Sequence, residues 1–265
     1  MPTIRLDVVN DDPADADSQQ LFVDGEIAGE TVRFLVDTGA TDCVVPRIDA
    51  TAGLVSQGTS TGRGAVGRPA ADEVVVVPEL RIGPLRATEI AADRVAGGGH
   101  RHPLLGMNVL GRHRCRFHPA DVGLEIDEPV PASWVLDPLA VYAGGQPLVL
   151  VTIADVTVTA CWDSGASLTV VDLGFARRHQ AVVALGQRLA GHDSGGDDVE
   201  GWRATLAPCA IGGVGFGASA AIVIDLSEFN SELPGPLELI VGVPLIRQGD
   251  WLFDFPAGRW GVRAL

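Results

Sequence analysis

Two aspartates with matching neighbours are the residues of this sequence best suited to chemistry. The first motif is Phe34-Leu35-Val36-Asp37-Thr38-Gly39-Ala40-Thr41, and the second is Ala160-Cys161-Trp162-Asp163-Ser164-Gly165-Ala166-Ser167. Apolar residues flank both motifs, so each carboxylate is predicted to end a buried strand on a tight glycine turn. One copy alone would be typical of a β-turn, but a buried carboxylate is costly without a partner. Two copies at corresponding places therefore predict a paired functional site.

The elements that must position these aspartates also occur twice, in the same order. In each half a hairpin precedes the aspartate, a glycine-rich stretch follows it, and an apolar-apolar-glycine segment precedes a last strand. These segments are 21–36, 58–67, 104–106 and 115–119 in the first half, and 148–162, 191–201, 239–242 and 251–256 in the second. A repeat on this scale predicts two lobes of the same fold.

The composition favours an all-β protein. The chain has 33 glycines, 17 prolines and few aromatic residues, which is typical of short strands joined by tight turns. The net charge of −15 argues against nucleic acid and anionic membranes as partners. No stretch of the sequence is long and apolar enough to span a membrane.

The cysteines and the N-terminal sequence bear on the compartment. Residues 1–7 lack the basic region and apolar core of a secretory signal. The four cysteines (Cys43, Cys115, Cys161 and Cys209) are widely spaced and form no Cys-x-x-Cys pair. We therefore expect reduced, buried thiols in a cytoplasmic protein.

The Asp-Thr-Gly-Ala and Asp-Ser-Gly-Ala motifs resemble the active-site signatures of aspartic proteases. Alanine after the glycine is more similar to the retropepsins, which generally carry one motif per chain and dimerise. This chain resembles a retropepsin dimer fused into one polypeptide. The resemblance implies an all-β fold with few short helices, in which two β-barrel-like lobes of the retropepsin/pepsin type are related by a pseudo-twofold axis. The expected lobes are 1–130 with Asp37 and 148–265 with Asp163, joined by a linker at 131–147, in a monomer.

The same resemblance implies a mechanism. Two carboxyls in close contact cannot both ionise easily, so Asp37 and Asp163 would share a proton. The ionised carboxylate can accept a proton from a water held between them, while the protonated one donates to the scissile carbonyl oxygen. This implies an aspartic endopeptidase acting on a peptide or protein substrate, without a metal or a cofactor.

Supporting roles in the catalytic loops follow from the resemblance as well. The supporting residues are Thr38, Gly39, Ala40, Ser164, Gly165 and Ala166. The hydroxyl pair would cross between the lobes, and the glycines would let backbone N–H groups approach the carboxylates. The alanine side chains cannot donate a hydrogen bond to the carboxylates, which implies a raised pKa for the pair and activity at mildly acidic to near-neutral pH.

The glycine-rich stretches lie where a retropepsin flap would lie. The residues assigned to flaps that close on substrate are Gly62, Gly64, Ala65, Val66, Gly195 and Gly196. Such flaps would pair with the backbone of an extended peptide, although an ordinary flexible loop is the alternative. Two departures from relatives are the absence of tyrosine from both stretches (Tyr142 is the only tyrosine) and Asn108, where many relatives have aspartate.

Other parts of the chain carry weaker signals. Residues 1–9 could form a strand, residues 10–20 are polar and acidic and favour a loop, and residues 173–179 suggest a helical turn. His100, His102, His113, His118 and Cys115 raise a zinc hypothesis, but their spacing fits no familiar zinc pattern.

Three other functions compete with an active peptidase. Paired carboxylates could serve a glycosidase, although such acids are not usually both set in Asp-[Ser/Thr]-Gly turns on a repeated scaffold. A peptide-binding module could keep the fold without turnover. An enzyme specific for one partner protein would also be inert on generic peptides.

Overall fold

The structure, a computed structural model, describes residues 3–62, 70–95, 102–118, 122–192, 198–231, 233 and 235–265. Within these ranges the protein is built mainly of strands with a few short helices, as the sequence predicts. None of the helices found there has the length and apolar character needed to cross a membrane.

The first half contains two four-residue helices, α1 (Asp49–Ala52) and α2 (Met107–Leu110). Its strands are β1 (Ile4–Arg5), β2 (Asp7–Asp12), β3 (Asp15–Ile27), β4 (Glu30–Val36), β5 (Cys43–Pro46), β6 (Gly58–Gly62), β7 (Ala70–Ile82), β8 (Leu85–Val95), β9 (Leu104–Leu105), β10 (Arg114–His118) and β11 (Gly123–Ile126).

The second half contains the helices α3 (Leu173–Arg178), α4 (Ser227–Asn230) and α5 (Val243–Ile246). Its strands are β12 (Asp137–Pro138), β13 (Ala140–Val141), β14 (Pro147–Ile153), β15 (Val156–Trp162), β16 (Thr169–Asp172), β17 (Val183–His192), β18 (Asp198–Leu206), β19 (Cys209–Ile211), β20 (Val214–Phe216), β21 (Ser219–Ile224), β22 (Leu239–Val241), β23 (Gly249–Asp254) and β24 (Arg259–Ala264).

A tight hairpin delivers each aspartate. Ala28 and Gly29 join β3 to β4 with φ angles of 49° and 86°, the left-handed values that suit a two-residue hairpin turn. Ala154 has a φ of 54° at the matching turn between β14 and β15. Along β4 and β15 buried residues recur in the same order, and the last three positions before each aspartate are all buried. Each carboxylate therefore emerges from the core at a fixed place.

One short strand passes through the middle of each lobe. β9 runs parallel to β4 and antiparallel to β5, and β22 has the same relation to β15 and β16. Val36 is in register with Leu105, and Trp162 is in register with Val241. The apolar-apolar-glycine segments of the sequence therefore support the two aspartate loops from behind.

Three sheets organise the part of the chain that the structure describes. One has the order β2-β3-β4-β9-β5-β8-β7-β6, and a second has the order β17-β18-β21-β16-β22-β15-β14-β19-β20. The third, β1-β11-β10-β23-β24-β12, combines strands from both halves. Its central pair joins β10 to β23, with Phe117 opposite Trp251. The halves are thus connected by backbone pairing as well as by side chains.

Trp162 lies at the centre of the packing between the halves. It is fully buried, and its ring centroid is 4.9 Å from that of Phe117, 5.6 Å from that of Trp251 and 4.8 Å from that of Phe253. Its carbonyl precedes Asp163 directly in the chain. The residue next to the second carboxylate therefore packs against the sheet shared by the two halves.

The prediction of a polar loop over residues 10–20 is wrong. β2 extends to Asp12 and β3 begins at Asp15, so most of this acidic stretch forms a hairpin. The segment 131–147, predicted to be a linker, contains β12, β13 and the start of β14. The lobe boundaries 1–130 and 148–265 remain predictions.

We expect Trp162→Ala to destabilise the protein by about 3–5 kcal/mol, because it removes a large buried ring from a close-packed cluster. The measurement is the free energy of unfolding in urea. Leu150→Ala is the control, since Leu150 is 61% exposed and surface truncations change stability by about 0.5 kcal/mol or less. Equal losses for the two variants would contradict the central role of Trp162.

Candidate active site

Each aspartate is held from behind by the strand that passes through its lobe. The N–H of Asp37 donates to the carbonyl of Leu105 at 3.1 Å, and the N–H of Asp163 donates to the carbonyl of Val241 at 2.9 Å. Because β9 and β22 are buried in their sheets, these hydrogen bonds fix the position at which each loop leaves the core.

The two loops meet so closely that only glycine fits at positions 39 and 165, each of which lies against the carboxylate of the opposite loop. A Cβ added to Gly165 would lie 2.6 Å from Oδ1 of Asp37, and a Cβ on Gly39 would collide in the same way with the carboxylate of Asp163. The glycine of each motif thus lies against the carboxyl group of the other motif. The structure brings together the two residues that the sequence pairs.

Two hydroxyls cross between the loops. Thr38 Oγ1 donates to the carbonyl of Trp162 at 2.9 Å and accepts from the N–H of Ser164 at 3.0 Å. Ser164 Oγ donates to the carbonyl of Val36 at 2.7 Å and accepts from the N–H of Thr38 at 3.1 Å. Thr38 and Ser164 are both fully buried, so these reciprocal bonds lock the loops together.

Backbone N–H groups satisfy part of each carboxyl group. Oδ1 of Asp37 accepts from the N–H groups of Gly39 and Ala40, both at 2.9 Å. Oδ1 of Asp163 accepts from the N–H of Gly165 at 2.8 Å. The methyl side chain of Ala40 cannot donate a hydrogen bond, but the backbone N–H of Ala40 does.

The surroundings keep the pair from ionising completely. Burial, together with the charge of Asp163, raises the pKa of Asp37 well above its usual range. Burial also raises the pKa of Asp163, while a hydrogen bond from Asp37 favours the charged form of Asp163. The arrangement therefore suits one proton shared by the pair.

An apolar cluster packs against the alanine of each motif. In the first half its residues are Phe22, Leu35, Val44, Val95 and Leu104, which pack with Ala40. In the second half they are Cys161, Leu237 and Ile240, which pack with Tyr142, Leu148, Ala166, Val170, Phe229 and Leu233. The apolar packing of each half therefore continues up to a residue of the motif itself.

The hairpins predicted to be flaps are present as far as the structure describes them. β6 pairs with β7, and Gly62 lies opposite Ala70 at the end of that ladder. β17 pairs with β18 in the second half. The other residues assigned to the flaps (Gly64, Ala65, Val66, Gly195 and Gly196) lie outside the described residues.

Asn108 has a structural role that a carboxylate could not fill. Its Oδ1 accepts from the N–H of Cys43 at 3.1 Å, and its Nδ2 donates to the carbonyl of Ala91 at 2.7 Å. Asparagine supplies one donor and one acceptor here, whereas ionised aspartate is only an acceptor. The departure from the family pattern thus links β5 to β8 behind the first catalytic loop.

The residues of the zinc hypothesis have other contacts. The ring centroid of His102 lies 5.1 Å from that of Phe22, and Cys115 is buried. The other two described histidines lie beside carboxylates. His113 Nδ1 lies 2.7 Å from Asp127, and His118 Nε2 lies 3.1 Å from Glu125, while His100 lies outside the described residues. Across the described part of the chain, no group of three or more His, Cys, Asp or Glu residues is arranged to hold a metal ion.

Comparison with known families matches both halves. Residues 23–112 match the gag-polyprotein aspartyl protease family, and residues 149–245 match a second aspartyl protease family. A search of curated proteins found no match. The two domains follow each other in one chain and each contains one of the paired aspartates. The protein therefore belongs to the retropepsin-like aspartic proteases, as a member with both lobes in a single polypeptide.

Sequence reasoning missed two residues near the site. Tyr142, assigned to the linker, packs in the apolar cluster that includes Ala166. Ser167, the last residue of the second motif, is hydrogen-bonded by the acidic hairpin of the first half. The position of Ser167, four residues after Asp163, indicated that it lies near the site. Its hydrogen-bond partners could not be predicted, because they are distant in the chain.

We expect Asp37→Asn to stabilise the protein at neutral pH relative to the wild type. Because burial raises the pKa of Asp37, the folded state binds more protons than the unfolded state above about pH 4. The contribution of this carboxyl to wild-type stability is therefore full below its pKa in the unfolded state. It is lost as pH rises through the raised pKa of the folded state. Asparagine stands in for the neutral carboxyl and avoids that loss.

The check is urea unfolding of both proteins between pH 3 and pH 8. The difference between variant and wild type should be small at the acidic end and grow as pH rises. Asp24→Asn, at an exposed position of β3, controls for removal of a charge. A stability difference that does not change with pH would contradict the raised pKa.

Proposed function

We propose that this protein is an aspartic endopeptidase that hydrolyses peptide bonds with a water activated between Asp37 and Asp163. The observation that supports this most directly is the contact of each motif's glycine with the opposite carboxyl group. That approach leaves two carboxyls sharing a proton in a buried site, which is the requirement for paired acid and base catalysis on one water.

Each carboxyl has one task in the proposed reaction. Asp163, favoured in its charged form by the hydrogen bond from Asp37, accepts a proton from the attacking water. Asp37, whose pKa is raised by burial and by the charge of Asp163, donates to the carbonyl oxygen of the scissile peptide. The first step gives a neutral tetrahedral diol intermediate. In the second step Asp37 takes a proton back from one hydroxyl of the diol while Asp163 donates the proton that it took from water to the leaving nitrogen. The C–N bond breaks, an acid and an amine are released, and both carboxyls return to their starting states without a covalent enzyme intermediate.

The substrate we propose is an extended peptide segment. The hairpins β6–β7 and β17–β18 offer backbone groups that can pair with a peptide strand. The apolar clusters around Ala40 and Ala166 suit apolar side chains on both sides of the cleaved bond. A single chain supplies both aspartates, so we propose a monomer as the active unit.

We also propose a cytoplasmic location. All four cysteines are buried and free, which suits a reducing compartment.

We expect the wild type to cleave a denatured protein mixture, and Asp37→Asn and Asp163→Asn each to lower the rate by at least about 100-fold. Cleavage is followed by mass spectrometry of the products across a range of pH. Asp155→Asn, in the exposed turn between β14 and β15, is the matched control and should retain wild-type activity.

The alternative functions give other outcomes in the same experiment. Cleavage that survives both active-site variants would contradict the paired mechanism. Absence of cleavage by the wild type on every protein in the mixture would favour a peptide-binding module, or a protease restricted to one partner.

We expect the pH optimum to lie at mildly acidic to near-neutral pH and to move lower in Ala166→Ser. A hydroxyl at position 166 can donate to the carboxylate of Asp163, which favours the charged form and lowers the pKa of the pair. The measurement is the pH dependence of kcat/KM. Ala166→Cys, which adds similar volume with a much weaker donor, should shift the optimum less. A wild-type optimum in strongly acidic solution would contradict this account.

A further inference from the structure

We propose that the β2–β3 hairpin of the first half is a clasp that positions the second catalytic loop, with Asp11 and Arg203 as its positioning residues. This inference rests on the proposed function, because it concerns how the reacting carboxyl of Asp163 is held. The clasp is defined by Asp11, Asp15, Asp17, Ser18 and Gln19 on the hairpin, and by Ser167 and Arg203 of the second half.

The first contact of the clasp is with Ser167. Ser167 Oγ donates to Oδ2 of Asp11 at 2.9 Å and accepts from Oγ of Ser18 at 3.2 Å. The carbonyl of Ser167 accepts from the N–H of Gln19 at 3.1 Å. Both the side chain and the backbone of this residue are therefore held by the other half of the protein, and Ser18 is 4% exposed.

Ser167 is close to the chemistry along the chain. It follows Ala166, whose N–H donates to the carbonyl of Asp163 at 3.3 Å and whose carbonyl accepts from the N–H of Val243 at 2.9 Å. A displacement of Ser167 would therefore be transmitted through one residue to the loop that carries Asp163. The positions of reacting groups matter at this scale, since misplacement by about 1 Å can cost 100-fold in rate.

The second contact anchors the tip of the hairpin. Arg203 Nε lies 2.9 Å from Asp15 Oδ2, and Arg203 Nη2 lies 2.9 Å from Asp17 Oδ2. Arg203 belongs to β18, the inner strand of the second flap hairpin. One guanidinium thus joins two carboxylates of the clasp to the base of a flap, and the side chain of Arg203 is only 21% exposed.

The loop that carries Asp37 is held by a corresponding contact, but through different chemical groups. Thr41 stands four residues after Asp37, as Ser167 stands four residues after Asp163. Thr41 Oγ1 accepts from Nε2 of Gln146 at 2.8 Å, and Gln146 comes from the segment just before β14. Each loop is therefore held at the equivalent position by the opposite half, which identifies the contact as part of the site's geometry.

Amide hydrogen exchange tests the clasp without requiring turnover. We expect Asp11→Ala and Arg203→Met to raise exchange in a peptide spanning residues 163–170 by about tenfold, the effect of losing one charge-assisted hydrogen bond. Arg203→Lys should restore part of the protection, because it keeps the charge. Asp24→Ala and Arg86→Met, at exposed positions of β3 and β8, are the controls. Exchange in the clasp variants equal to that in the controls would overturn the proposal.

The pH profile of kcat/KM gives the second readout. A loosened loop weakens the interaction between the carboxyls, so the upper pKa of the pair should fall and the basic limb of the profile should move to lower pH. If a variant only lowers the fraction of folded molecules, kcat/KM falls by the same factor at every pH and the shape of the profile stays that of the wild type. Clasp variants with an unshifted profile and unchanged exchange would show that the hairpin does not position the loop.

These readouts separate the two proposals. If the wild type cleaves nothing, the proposed endopeptidase activity fails, and hydrogen exchange alone still decides whether the clasp orders the loop. If the wild type cleaves and exchange does not respond to Asp11→Ala or Arg203→Met, the clasp fails while the peptidase assignment stands.

Discussion

The structure depends on bringing two carboxyl groups into contact inside the protein. Each of them loses water on burial, and the charge of Asp163 further disfavours ionisation of Asp37. Three features offset that cost: backbone N–H groups that donate to the carboxyls, the bond between the carboxyls, and the crossed bonds of Thr38 and Ser164. The crossed hydrogen bonds contribute most to holding the two loops in position, because each hydroxyl group forms two hydrogen bonds with the backbone of the opposite half.

The sheets can be understood as support for that contact. β9 and β22 bond the backbone of each aspartate, and the ring of Trp162 fills the space between the second loop and the shared sheet. Pairing of β10 with β23 then fixes one half against the other. A change in any of these layers alters the distance between the carboxyls, so the requirements of stability and of chemistry coincide over much of the core.

Most of the site's centre could be predicted from the sequence, because its signals are local and repeated. The turn residues, the buried run before each aspartate and the apolar-apolar-glycine segments all occur within short windows, and the second copy confirms the interpretation of the first. The part of the β2–β3 hairpin within residues 10–20 could not be predicted in this way. Its polar residues favour a loop by composition, and it is held by partners such as Arg203 that are nearly 190 positions away along the chain. The role of Asn108 was equally hidden, since it depends on tertiary hydrogen bonds.

Fusion of two lobes in one chain explains why the supports of the two loops differ. In a symmetric homodimer the same side chain must serve both equivalent positions. Here the motif is repeated where both carboxyls need the same surroundings, yet the position after each alanine has diverged. Thr41 is bonded by the neutral amide of Gln146, whereas Ser167 is bonded by the carboxylate of Asp11. The described contacts of these two positions therefore differ in charge, which a single side chain serving both halves of a symmetric homodimer could not achieve.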